Sequence, residues 1–178
     1  TREALWDCLA AIEYVKALPE VDARSVVVWG TSGGVSLALV LAGETSLAAI
    51  APEEPASILF TGMLVNANDR EARMRDPQKY YTPELRAFTR EKIARISCPI
   101  LVTQGGVHPI NRINNEIVIP ELIRASKSVE VCFYPGEPHG FGQGSGSPEA
   151  VRKFFDDVAH FFARHVKTRP APLPAGLV

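Results

Sequence analysis

The sequence predicts an α/β fold: a mostly parallel sheet with helices on both faces. Three observations lead there. Short β-branched or apolar runs alternate with helical stretches four times, which is the pattern of strand–helix–strand units. The strand-like runs are near-continuously apolar rather than alternating, as strands covered on both faces are. The chain has 178 residues, 46% hydrophobic and 22% charged, enough for one domain with a sizeable core.

The elements follow in order. Leu5, Cys8, Leu9, Ile12 and Val15 share one face of a helix over 4–18. Pro19 closes it. Ser25 to Trp29 is the first strand, and Gly30 to Gly34 is a sharp turn into a buried helix over 35–42, with Gly43 placed at its C-terminus. Leu47 to Ala51 is the second strand, stopped by Pro52-Glu53-Glu54-Pro55. Residues 56–95 are charged and irregular and are expected as turns and helices over one end of the sheet. Pro99 to Thr103 is the third strand, 115–126 a helix, and Ser128 to Tyr134 the fourth strand. The clearest helix is 148–165, with Ser147 as N-cap, Pro148 at its first position, and Val151, Phe154, Phe155, Val158, Phe161 and Phe162 as its apolar stripe. One domain is expected over 1–167, followed by a Pro-rich tail over 168–178.

Composition removes several function classes. The formal net charge is −1, from 19 Lys plus Arg against 20 Asp plus Glu, so no nucleic-acid or anionic-membrane partner is expected. No apolar run is long enough to span a membrane. The chain opens with Thr1-Arg2-Glu3 and no secretory leader is in view. Cys8, Cys98 and Cys132 are widely spaced and read as small core residues; unpaired thiols favour a cytoplasmic location. No metal-ligand spacing occurs, and no cofactor is expected. A nucleotide-binding reading fails for want of a GxGxxG or GxxxxGK[ST] string.

Chemistry concentrates at the C-terminal ends of the strands, where open parallel sheets bind ligands. Gly30-Thr31-Ser32-Gly33-Gly34 fits G-x-S-x-G between a strand and a helix, the setting of a nucleophile elbow. Such a turn projects the Ser32 hydroxyl and sets the Gly33 N–H at a helix N-terminus, where it can face a developing oxyanion. The small residues at 30 and 34 are expected to make room for the turn. The alternative is a plain turn with Ser32 as N-cap. His139 lies in a loop between the fourth strand and the last helix, where a general base can reach Ser32. His160 and His165 fall on the last helix and read as surface residues.

Three stretches resemble one family: Leu18 to Gly34, Ile96 to Val102, and Tyr134-Pro135-Gly136-Glu137-Pro138-His139-Gly140-Phe141. Together they are similar to α/β-hydrolases of the prolyl oligopeptidase and dienelactone hydrolase groups, over roughly residues 5–165. The resemblance implies Ser32 as nucleophile and His139 as base. It also implies an acid in the loop after the third strand, yet Gly105-Gly106-Val107-His108 places His108 in that slot. A histidine cannot supply the fixed negative charge that orients an imidazolium. The superfamily's other acid position is the end of the preceding strand, which here holds Glu53 and Glu54, with Glu54 preferred. The resemblance further implies strands, and a second oxyanion donor, preceding the first helix seen here; these are lacking. The first strand would leave an apolar edge open, so a longer chain or another copy or subunit is expected to cover it.

The expected function is hydrolysis of a carboxylic ester, less readily a peptide, through an acyl-enzyme on Ser32. The substrate would be a small-molecule ester or short peptide. The competing expectation is a catalytically impaired hydrolase-fold binding module, suggested by His108 and the lacking oxyanion half.

Overall fold

The computed structural model describes residues 2–64, 66–106 and 108–166. The Pro-rich tail expected over 168–178 lies outside the described residues. Helix α1 (Arg2–Ala17) leads through a short turn, where the Asp22 side chain accepts from the Arg24 N–H, into strand β1 (Val27–Thr31). Helix α2 (Gly33–Glu44) returns the chain to β2 (Ala49–Glu53). The short helices α3 (Ser57–Phe60), α4 (Arg70–Arg75) and α5 (Pro77–Tyr80) precede α6 (Pro83–Arg95) and β3 (Ile100–Gly105). Next come α7 (Asn111–Ile113), a π-helical stretch (Asn114–Val118) and α8 (Ile119–Arg124), running into one another. Strand β4 (Val129–Tyr134) and helix α9 (Pro148–His165) complete the described chain.

The four strands lie in the order β1-β2-β3-β4, all parallel. Alternate strand residues point to opposite faces. Ile50, Ile100 and Val102 therefore join Ile12 of α1, Leu39 of α2, Ile93 of α6 and Leu122 of α8 on one face. Ala49, Ala51 and Leu101 meet Phe154, Val158 and Phe161 of α9 on the other. Burying each large α9 side chain is worth roughly 1.5–3 kcal/mol. A third cluster, including Ile58, Met74, Tyr81 and Ile113, roofs the strand ends.

Several boundaries differ from expectation. Strand β2 starts and ends two residues later than Leu47 to Ala51, because Pro52 and Glu53 continue in register opposite Gly30 and Thr31. Within 56–95, α6 is a regular thirteen-residue helix. Its start was readable: Thr82 accepts from the Leu85 N–H and Pro83 takes the first turn. Strand β1 has no neighbour on its outer edge among the described residues. Trp29 there is 41% exposed and packs against Phe154 and Phe155 at 6.0 and 5.8 Å. None of the helices among the described residues is long and apolar enough to cross a membrane.

Candidate active site

Ser32 stands between β1 and α2 with φ 55° and ψ −118°. A non-glycine residue there carries strain of about 1–3 kcal/mol. Its backbone is clamped: its N–H donates to the Glu53 carbonyl at 3.0 Å and its carbonyl accepts from the Ala56 N–H at 3.1 Å. The side chain makes no cap hydrogen bond, so Ser32 is not an ordinary N-cap. Its Oγ lies 2.8 Å from His139 Nε2 instead. Gly33 follows directly as the first residue of α2, where helix N–H groups lack intrahelical partners. The expected steric need for glycine at 30 and 34 is not found. A Cβ at Gly30 would make ordinary contact at 3.6 Å, and one at Gly34 would meet nothing within 4 Å.

His139 comes from the loop joining β4 to α9, and that loop passes tightly over the end of β3. A Cβ at Gly106 would sit 2.7 Å from the Gly136 nitrogen, and one at Gly105 would run into the Glu137 carbonyl. Here glycine is required by close approach. The loop is also pinned from β2. The Gly140 N–H donates to Glu54 Oε2 at 2.7 Å, and the Gly142 N–H donates to Glu53 Oε1 at 2.7 Å.

Both glutamates are fully buried, but they face different partners. Glu53 ends β2 and accepts from the Thr31 hydroxyl at 2.5 Å. Burial pushes its carboxyl above the usual range, against the Thr31 and Gly142 hydrogen bonds that pull it down. Glu54 turns out of the strand with φ 46°. Its Oε2 approaches His139 Nδ1 at 2.9 Å. That approach is a close contact rather than an in-line hydrogen bond, since Nδ1 has no partner of good angle. Glu54 Oε1 accepts from the Gly105 N–H at 2.9 Å and from Asn111 Nδ2 at 3.3 Å. Ser32, His139 and Glu54 are thus brought together in one line of contacts; Glu53 stands aside on the neighbouring hydrogen bonds.

A chain of that geometry, carried on a parallel sheet, invites comparison with known proteins. The sequence profile of the prolyl oligopeptidase family matches residues 2–169. The chain belongs to the prolyl oligopeptidase family. The acetyl esterase Axe7A of Xylanibacter ruminicola is 29% identical over 126 residues, which are 67% of this chain and 29% of that protein. This prolyl oligopeptidase-family chain therefore spans less than a third of the length of that curated relative. Among solved structures, the acylaminoacyl peptidase of Pyrococcus horikoshii matches with a TM-score of 0.68 at 16% identity, covering 95% of this chain and 28% of that one. A dienelactone hydrolase from Anabaena variabilis matches with a TM-score of 0.63 at 16% identity, covering 90% and 58%. These structures share the α/β-hydrolase fold, and the chain's family is one of esterase- and peptidase-like hydrolases.

Within this family member, the loop after β3 carries no acid to His139. His108 occupies the slot and stacks on His139, with ring centroids 4.4 Å apart and planes 31° apart. The His108 Nδ1 accepts from the Ile110 N–H at 3.2 Å. Burial, and then the neighbouring His139, hold His108 below the usual histidine range. What sequence reading missed is the amide set beneath this loop. Asn111 donates to the Gly105 carbonyl at 2.6 Å as well as to Glu54. Asn114 donates to Gln104 Oε1 at 3.2 Å, and Gln104 donates to Asn115 Oδ1 at 2.8 Å. Ser57 donates to Asn114. The signal was three asparagines, Asn111, Asn114 and Asn115, close together at the start of one helical stretch. His160 and His165 sit on α9, with His165 packed at 4.8 Å on Phe161.

Proposed function

We propose that this chain carries the reacting centre of a serine hydrolase that cleaves a carboxylic ester through an acyl-enzyme. The observation that carries the reading is the contact line Ser32 Oγ, His139 Nε2, His139 Nδ1, Glu54 Oε2, at 2.8 and 2.9 Å. Ser32 Oγ attacks the ester carbonyl while His139 Nε2 takes its proton. The tetrahedral oxyanion forms beside the Gly33 N–H at the start of α2, whose aligned dipoles favour negative charge. Collapse breaks the bond to the alcohol, which leaves with the proton held by His139. Water then attacks the acyl-serine with His139 again as base. The Glu54 carboxylate, 2.9 Å from Nδ1, stabilises the imidazolium as it forms.

The similar acetyl esterase supports an ester over a peptide as the bond cleaved. The reading of an impaired binding module loses its main support, because Glu54 offers a carboxylate where His108 cannot. The experiment is p-nitrophenyl acetate hydrolysis with Ser32→Ala and His139→Ala beside the parent, together with fluorophosphonate labelling. Each substitution lowers kcat by about a thousandfold or more, and Ser32→Ala abolishes labelling. A folded parent no faster than Ser32→Ala would overturn the reading.

A further inference from the structure

A cavity of about 740 Å³ opens beside His139, on the side of His108. That volume suits a small organic ligand. Its wall mixes apolar surface from Met74 and Pro109 with the polar side chains of His108, Asn111, Asn115, Arg75 and Arg112. The two arginines are differently engaged. Arg112 is committed, its Nε donating to Glu116 Oε1 at 2.8 Å and its Nη1 donating to the Arg75 carbonyl. Arg75 is exposed and makes no ion pair among the described residues. Glu54 and Arg70 both lie near enough for their charges to act on His108, with opposite signs. Glu71 is the acid that lines the wall. Among the lining residues, Arg75 and Arg112 stand against Glu71, so the wall itself carries one positive charge in excess. A cleft lined with excess positive charge concentrates anions, and a free guanidinium presents the fork that a carboxylate fits.

We propose that this cavity selects an ester bearing a carboxylate on the part seated there, with Arg75 as the residue that receives it. The inference rests on the reading of Ser32 and His139 as the reacting pair, since only then does the cavity adjoin the bond cleaved. The carboxylate would sit at Arg75, and the ester carbonyl would reach Ser32 past the His108–His139 stack. Asn111 is already turned to Glu54 and Gly105, so Asn115 and the backbone remain to meet polar groups between the two ends.

The test compares charged and neutral members of two matched pairs on the whole chain. One pair is mono-p-nitrophenyl glutarate and p-nitrophenyl valerate; the other is 4-acetoxybenzoate and phenyl acetate. The expected result is a charged-over-neutral ratio in kcat/KM of about tenfold or more in one pair, falling with added salt and collapsing in Arg75→Gln. Because the ratio is read within each variant, a general loss of fold does not mimic it. In parallel, calorimetry measures glutarate binding to Ser32→Ala, which needs no catalysis, with Arg75→Gln in that background. Binding of glutarate that Arg75→Gln abolishes, with no turnover of any ester, upholds the cavity and overturns the hydrolase reading. Turnover of both pairs without charge preference, or glutarate binding that ignores Arg75→Gln, overturns the cavity proposal and leaves the hydrolase reading standing.

Discussion

The end of β2 and the loop after β3 reach the same histidine from neighbouring strands, and they meet it differently. From β2, Glu54 brings a carboxylate oxygen to Nδ1 at 2.9 Å. From the β3 side, His108 comes face-on, stacked at 4.4 Å. Adjacent strand ends lie only about 4.8 Å apart, so either can deliver a group to one point above the sheet. The difference teaches that a carboxylate site is defined by what it must touch, and the backbone that supplies it can change. When the β2 end supplies the carboxylate, the β3 side supplies its donors. The Gly105 N–H and Asn111 both serve Glu54 from the loop that resemblance would have made the source of the acid.

Three substitutions sharpen that contrast, taken from the largest expected effect to the smallest. Glu54→Gln should lower kcat on p-nitrophenyl acetate by about 10³–10⁴-fold, as loss of the orienting charge does in such triads. If Glu54→Gln keeps near-parent turnover while the protein stays folded, the β2 end is not the acid. Next, His108→Gln should alter stability in acid. The folded His108 binds its proton less readily than an unfolded histidine near 6.5. The unfolded state therefore takes up more protons as pH falls below about 6.5, and stability is lost on the way down to the folded value. The groups acting on His108 are His139, Glu54 and Arg70. His108→Gln should flatten that part of a thermal-unfolding curve against pH, and an unchanged slope would refute the assignment. The smallest effect is expected of Glu53→Gln. Its carboxyl is held above the usual range, so the folded state keeps a proton that the unfolded chain gives up as pH rises past about 4.3. The substitution should remove a loss of stability on going from acid toward neutral pH, opposite in sign to the His108 effect. It should change kcat by no more than about tenfold, since an amide can still serve the Gly142 N–H and Thr31.

Much of this was legible from residue patterns. The Phe154–Val158–Phe161 stripe gave α9 its bounds, and Val27 and Val28 marked β1, because burial on a sheet selects those spacings. Ser32 and His139 were legible because their motifs fix backbone shape locally. Glu53 and Glu54 were legible only as a pair. Separating them needs the turn at Glu54, whose positive φ swings its side chain from the strand pleat to His139, and no residue type announces that turn. Beyond its Thr82-Pro83 start, helix α6 was hidden because little of it is buried: Thr89 and Ile93 alone are, so its polar sequence carries almost no stripe. The Asn111 and Asn114 network was hidden because amide partners are chosen by tertiary proximity and leave no spacing in sequence.

The strained backbone at Ser32 and Glu54 has a consequence for the history of such chains. Both residues hold φ values that glycine would adopt freely, 55° and 46°. At each, relaxation to glycine would return some of the stability that the turn consumes. A lineage released from the need to react would thus drift toward glycine at 32 and 54 and gain heat tolerance as it did so. Under the proposed function, both side chains stand where the fold alone would favour glycine.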